Sequence, residues 1–117
     1  MVTPAAGAVV LVPFPFSNLA QSKLRPAAVL ADAGRGDWIL CQVTSNPYGD
    51  ANAVELSEAG FGAGSFRITS YVRPGKLFTA SRELILSQVG ILKPSMLQVI
   101  IEAVMSILRR SLTLHVN

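Results

Sequence analysis

At 117 residues the chain is one domain, long enough to bury roughly two-thirds of its unfolded surface. Half of its residues are hydrophobic and only 15% are charged, which is low for a solvated monomer and allows a second buried face such as a dimer interface. Ten Lys and Arg stand against seven Asp and Glu, and seven of the ten cations fall between Lys23 and Arg82, which points to a basic face for a polyanion. One cysteine, Cys41, excludes a disulfide within the chain and points to a reducing compartment. The N-terminal stretch has no basic n-region and prolines break its apolar run, so it does not read as a signal peptide. Gln98, Glu102 and Ser106 interrupt the C-terminal apolar run, which is too polar and too short to span a bilayer. The expectation is a cytoplasmic protein with no membrane contact.

Ala8 to Phe14 is a continuous valine-rich run, as expected for a strand covered on both faces. A polar loop follows, ending in Lys23-Leu24-Arg25-Pro26, and Pro26 to Ala31 reads as a second strand. Pro26 fixes its own φ and pushes Arg25 toward an extended backbone, so the guanidinium has a defined position. It is a planar fork of donors suited to phosphate. The turn Asp32 to Asp37 leads to a third strand, Trp38 to Ser45. There Ile39, Cys41 and Val43 share one face, while Leu40, Gln42 and Thr44 share the other, with Gln42 and Thr44 looking out toward something polar.

Asn46 to Asp50 is a turn cluster. Ala53 to Leu56 and Phe66 to Val72 are shorter strand candidates on either side of a glycine-rich loop, Gly60 to Gly64, and Lys76 to Thr79 continues the sheet. Short strands joined by Gly, Pro and Asn turns predict a mainly β fold, a small closed barrel. The last third changes period. Ser95-Met96-Leu97-Gln98 has the form of a capping box, so a helix is expected to start at Ser95 or one residue earlier. Leu97, Ile100, Ile101, Val104, Met105 and Leu108 make its broad apolar face.

Metal and nucleophile chemistry find little support in these residues. The lone histidine, His115, lies three residues from the C-terminus, and one Cys with scattered acids gives no metal-ligand spacing, so no metal and no other cofactor is expected. Cys41 sits in an apolar run and reads as core. AGFGAGSF lacks the lysine of a P-loop and reads as a flexible loop. What remains is cations and hydroxyls: Lys23 and Arg25 in the first loop, Thr44 and Ser45 at the end of the third strand, and Ser70, Arg73 and Lys76 in SYVRPGK. Arg73 before Pro74 repeats the positioning of Arg25. Such a set orients a phosphodiester and stabilises charge building on its oxygens. RNA carries its own nucleophile, the 2′-hydroxyl, so its cleavage needs neither metal nor enzyme-bound nucleophile.

The blocks GAVVLVPFPFSN, KLRPAAVL, CQVTSN and SYVRPGKLFT, taken in order, resemble those of the MazF/PemK family of toxin endoribonucleases. The resemblance runs from about Gly7 to Leu108 and implies a single toxin domain over residues 1–117, built as an SH3-like barrel of the PemK/CcdB type with a C-terminal helix. It implies a homodimer that cuts single-stranded RNA without metal and is inhibited by a cognate antitoxin covering the RNA groove. By the same resemblance Arg25 matches the arginine of the R-P motif that acts on the scissile phosphate, and Thr44 matches the threonine of the T-S motif that orients it. Arg73 matches an arginine of the later strand that serves as acid or phosphate ligand in some members. Phe16, Ser17, Asn18, Lys23, Ser45, Ser70, Arg73 and Lys76 then make up the RNA-binding set.

The chain also departs from that pattern. Ala8 follows Gly7 where the family often has aspartate, Gln21 and Ser22 stand in place of the first-loop acid, and Gly75 occupies the position of an aspartate base. Arg25 and Thr44 would then carry most of the rate electrostatically, since an arginine with a pKa above about 12 is a poor base. The missing carboxylates leave open a second reading, a weak or inactive member that binds RNA, antitoxin or a protein target such as gyrase.

Overall fold

The computed structural model describes residues 3–13 and 23–113. Its strands are β1 (Ala8–Pro13), β2 (Leu24–Gly34), β3 (Asp37–Thr44), β4 (Val54–Leu56), β5 (Phe61–Gly64), β6 (Ser70–Ser81) and β7 (Ser87–Leu92), followed by helix α1 (Pro94–Thr113). All pair antiparallel in one seven-stranded sheet of order β4-β6-β3-β2-β1-β7-β5. The mainly β expectation holds, but the sheet curls into a half-barrel. Among the described residues its edge strands, β4 and β5, do not pair with each other.

The valine-rich runs at the centre explain the curl. Val9, Ala28, Cys41, Val43 and Val72 face inward with Leu56, Phe61 and Leu92 around Ile100 of α1, a side chain with no exposure. Alternate residues of the same strands, Val10, Ala27, Val29 and Leu40, form a second buried cluster with Ala80 and Ile85 on the opposite face. Strands covered on both faces have no polar alternation, as the run at β1 predicted. Burial also pushes the Cys41 thiol up to about 12, so it is an inert core residue.

Three expectations are corrected. First, β2 runs on to Gly34, and the predicted six-residue turn shrinks to Arg35-Gly36, where φ values of 58° and 82° match a type I′ hairpin. Second, the strand expected at Phe66 starts only at Ser70 and then runs unbroken to Ser81 through Arg73-Pro74-Gly75. Gln42 pairs with Arg73 but Cys41 pairs with Leu77, so residues 74–76 form a bulge. The bulge takes Pro74, which has no N–H to donate, out of the ladder.

Third, the glycine-rich segment is no loop: it holds β5, lying against β7, a strand the sequence reading did not identify because Ser87, Gln88 and Gly90 carry little strand propensity. Gly64 pairs with Gly90, and a Cβ on Gly64 would run into the carbonyl oxygen of Val89. The glycines are there for close backbone approach. The helix begins within the predicted limits, but Pro94 is its first residue and the carbonyl of Lys93 accepts from the Met96 and Leu97 N–H groups. Gln98 turns instead to Glu102, at 3.3 Å, so the capping box is not what starts it. Gly64, at φ 71°, combines a left-handed backbone with that blocked Cβ direction. Gly64→Ala should cost at least about 2 kcal/mol, read as a lower urea midpoint.

Candidate nucleic-acid interface

Three strands bring their ends to one edge of the sheet. Gln42 on β3 faces Ala27 on β2 and Arg73 on β6. Arg25, two residues earlier on β2, and Thr44, two residues later on β3, therefore emerge at the same end, where Thr44 also faces Tyr71 and β6 begins at Ser70. A cleft of about 270 Å³ opens there. Arg25, Gln42, Thr44, Ser45 and Ser70 provide its polar lining, and Pro26, Val43, Phe66 and Ile68 its apolar lining. A larger hollow of about 530 Å³ is lined, among the described residues, by α1 alone, from Glu102 to Arg110.

Each polar group in the cleft has a local reason for its position. Arg25 is exposed just before Pro26, which lies opposite Leu11 in the β1–β2 ladder. The Thr44 hydroxyl oxygen accepts the Asn46 N–H at 3.2 Å, which leaves its own hydrogen free to donate. The Asn46 side chain in turn accepts the Tyr48 N–H at 2.9 Å, so side-chain turns hold the segment after β3 in shape. Ser70 is buried and donates to the Ile68 carbonyl at 3.4 Å, a bond that shapes the 65–70 segment at the cleft rim.

The structure thus brings Arg25, Thr44, Ser45 and Ser70 together from the sequence-derived set. Lys23 is exposed beside the start of β2 but does not line the cleft, and neither do Arg73 and Lys76. Arg73 points elsewhere: its Nε is 3.0 Å from an Asp50 carboxylate oxygen, its Nη1 donates to Gln42 Oε1 at 3.3 Å, and its guanidinium carbon is 5.5 Å from the centre of the Tyr48 ring. Lys76, in the bulge, has contacts of its own. Phe16, Ser17 and Asn18 lie outside the described residues. The sequence reading missed Asp50, Phe66 and Ile68 as site neighbours, and it noted Gln42 only as outward-facing. Among the described residues, no three His, Cys, Asp or Glu side chains come together as a metal site would need.

This combination of a curled sheet, an R-P cation at the start of β2 and a T-S end of β3 meets a family model that covers residues 5–108, described as PemK-like, MazF-like toxin of type II toxin-antitoxin system. The chain belongs to that toxin family. No curated protein matches it at a significant level. Among solved structures it is similar to MazF from Deinococcus radiodurans, at 24% identity and TM-score 0.70 over 92% of this chain and 98% of the other. It is also similar to a MazE-MazF structure from the same organism, at 22% identity and TM-score 0.69 over 92% and 97%. A third is an endoribonuclease in complex with its cognate antitoxin from a mycobacterial species, at 15% identity and TM-score 0.68 over 92% and 95%. At such identities these likenesses establish the fold, and the toxin family rests on the family model.

Asp50 supplies a pH test of the site's architecture. Hydrogen bonds from the Asn52 N–H and then from Arg73 hold its carboxyl below the ordinary range, with the Lys76 charge adding to the effect. A depressed folded pKa gives stability that is fully present above about pH 4 and lost as pH falls through the folded value. Wild type should therefore be more stable than Asp50→Asn at pH 6, and urea midpoints should show that gap closing as the pH is taken below 4.

Proposed function

We propose that this toxin is a metal-independent endoribonuclease that cleaves single-stranded RNA at a phosphodiester held between Arg25 and Thr44. The observation that carries the reading is the meeting of these two side chains at one sheet end, in a cleft of nucleotide-scale size with a polar and an apolar side. The RNA 2′-hydroxyl gives its proton to water as its oxygen attacks phosphorus, the bond from phosphorus to the 5′-oxygen breaks, that oxygen takes a proton from water, and a 2′,3′-cyclic phosphate and a 5′-hydroxyl result. Arg25 donates to the phosphate oxygens as charge builds on them. The free hydrogen of Thr44, left by the Asn46 bond, donates to the same group.

Asp50 is ion-paired to Arg73 outside the cleft, and no carboxylate lines the cleft among the described residues. That observation favours the second reading, a weak or non-cleaving member that binds RNA, antitoxin or a protein target. Purified protein incubated with mixed single-stranded RNA, with and without EDTA, separates the two. New 5′ ends in both conditions support the nuclease, and no cleavage in either rejects it. Arg25→Ala should lower cleavage by about a hundredfold or more while changing stability by no more than about 0.5 kcal/mol, since the side chain is exposed. Arg25→Lys should recover only part of the activity, because a point charge cannot reproduce the bidentate fork. Full activity in that variant would show that charge alone suffices.

The same reading includes a homodimer and inhibition by a cognate antitoxin. Its support in this chain is the apolar groove of about 240 Å³ between α1 and the sheet, lined by Leu30, Ile39, Leu77, Ile101, Val104, Met105 and Leu108. Leu108 of that lining and Leu112, one turn further along α1, are both more than half exposed. Surface of that kind is costly to leave in water and fits a two-fold partner. Ile101→Asp should lower dimer content in sedimentation at micromolar concentration and lower cleavage with it, whereas a monomeric wild type that still cleaves RNA would reject the dimer.

A further inference from the structure

Gln42 is a cleft residue whose side-chain amide has a defined orientation. It is half-buried, two residues before Thr44 on the same face of β3, and its Oε1 accepts a hydrogen bond from Arg73 Nη1 at 3.3 Å. A guanidinium can only donate, so the carboxamide oxygen must be the end that faces Arg73. The amide nitrogen is thereby turned the other way, and among the described residues no hydrogen bond occupies it. Arg73 is itself held by the 3.0 Å ion pair with Asp50, both side chains being largely buried at 17% and 14% exposure, and by the Tyr48 ring beside it. Arg73 lies outside the cleft while Gln42 lines it, so the free end of the amide is the cleft end.

We propose that Gln42 contacts the substrate, its amide N–H groups reading a hydrogen-bond acceptor on the nucleobase next to the cleaved phosphodiester, and that Arg73 with Asp50 is a positioning pair that holds this amide. The inference rests on the RNA-cleavage reading above and adds to it a residue that reads sequence. Phosphate is better served by the charged fork of Arg25. A neutral amide locked in one orientation instead separates bases that present an acceptor from those that present a donor. Phe66 and Ile68 line the same cleft and offer an apolar wall for the face of that base.

The test reads base preference and does not depend on cleavage. Short single-stranded RNAs made uncleavable by 2′-O-methyl groups, differing in one base beside the central phosphate, are titrated against the native protein by fluorescence anisotropy. The wild type should favour some bases over others about three- to tenfold, the range of one net hydrogen bond. Gln42→Glu keeps an acceptor for Arg73 but offers no donor to the base, so it should lose or invert that preference. Gln42→Leu should abolish it. Asp50→Asn and Arg73→Met should weaken the preference in the wild type and change it no further in the Gln42→Leu background, because groups acting through one contact are not additive.

An unchanged preference in both Gln42 variants overturns the inference. So does an Arg73→Met variant that weakens binding of every sequence equally in the Gln42→Leu background, since Arg73 would then be a phosphate ligand itself. Base-selective binding that depends on Gln42, in a protein that cuts nothing, rejects the nuclease and upholds this inference. Cleavage with a base preference indifferent to Gln42 does the reverse. Failure to bind any of the RNAs rejects both.

Discussion

Everything in this molecule hangs on central strands that are buried on both faces. Val9, Ala28 and Cys41 pack toward α1, and Val10, Ala27 and Leu40 pack the other way. Such strands cannot be the solvated wall of a barrel; they are its middle layer, with the helix on one side and the segment around Ile85 on the other. The polar chemistry is consequently driven to the strand ends. Arg25, Gln42, Thr44 and Ser70 all lie within two residues of a strand terminus, where the double cover stops. The cleft lies where it does because the core leaves no other place for those groups.

Behind the cleft, Arg73 is held by a counter-charge of its own. Asp50 neutralises Arg73 at 3.0 Å, and the largely buried side chain also gains an aromatic face and an amide acceptor. Arg25, by contrast, is left exposed at the cleft. One arginine is thus left open to solvent at the cleft while the other is tied to Asp50 and Gln42. Two Arg-Pro dipeptides with the same local stiffness end in different surroundings: β1 flanks the first, and the turn carrying Asp50 flanks the second.

The same contrast governs the glycine-rich stretch. Glycine residues permit a loop, and equally permit two backbones to approach more closely than any Cβ allows. The pairing of Gly64 with Gly90 decides for the second, and it depends on a strand that lies 26 residues further along the chain. Pro74 makes a similar point. Within a strand it would leave a gap in the ladder, and the bulge at 74–76 accommodates it while β6 runs on to Ser81 beside β3.

The sequence by itself determined whatever depends on neighbours along the chain. A valine-rich run without alternation specified the buried strand β1, the change of period specified the helix, and the Arg-Pro and Thr-Ser steps marked two of the groups that meet in the cleft. These signals are local because proline restrictions, strand faces and helical periodicity act within a few residues. Only the tertiary structure decided what depends on pairing across the fold. Arg73 finds Asp50 across 23 residues and Gln42 across 31, and β7 exists as a strand because β1 and β5 supply its hydrogen bonds. No short-range preference encodes such partners. They follow from sheet register, and register is settled by packing the whole core at once.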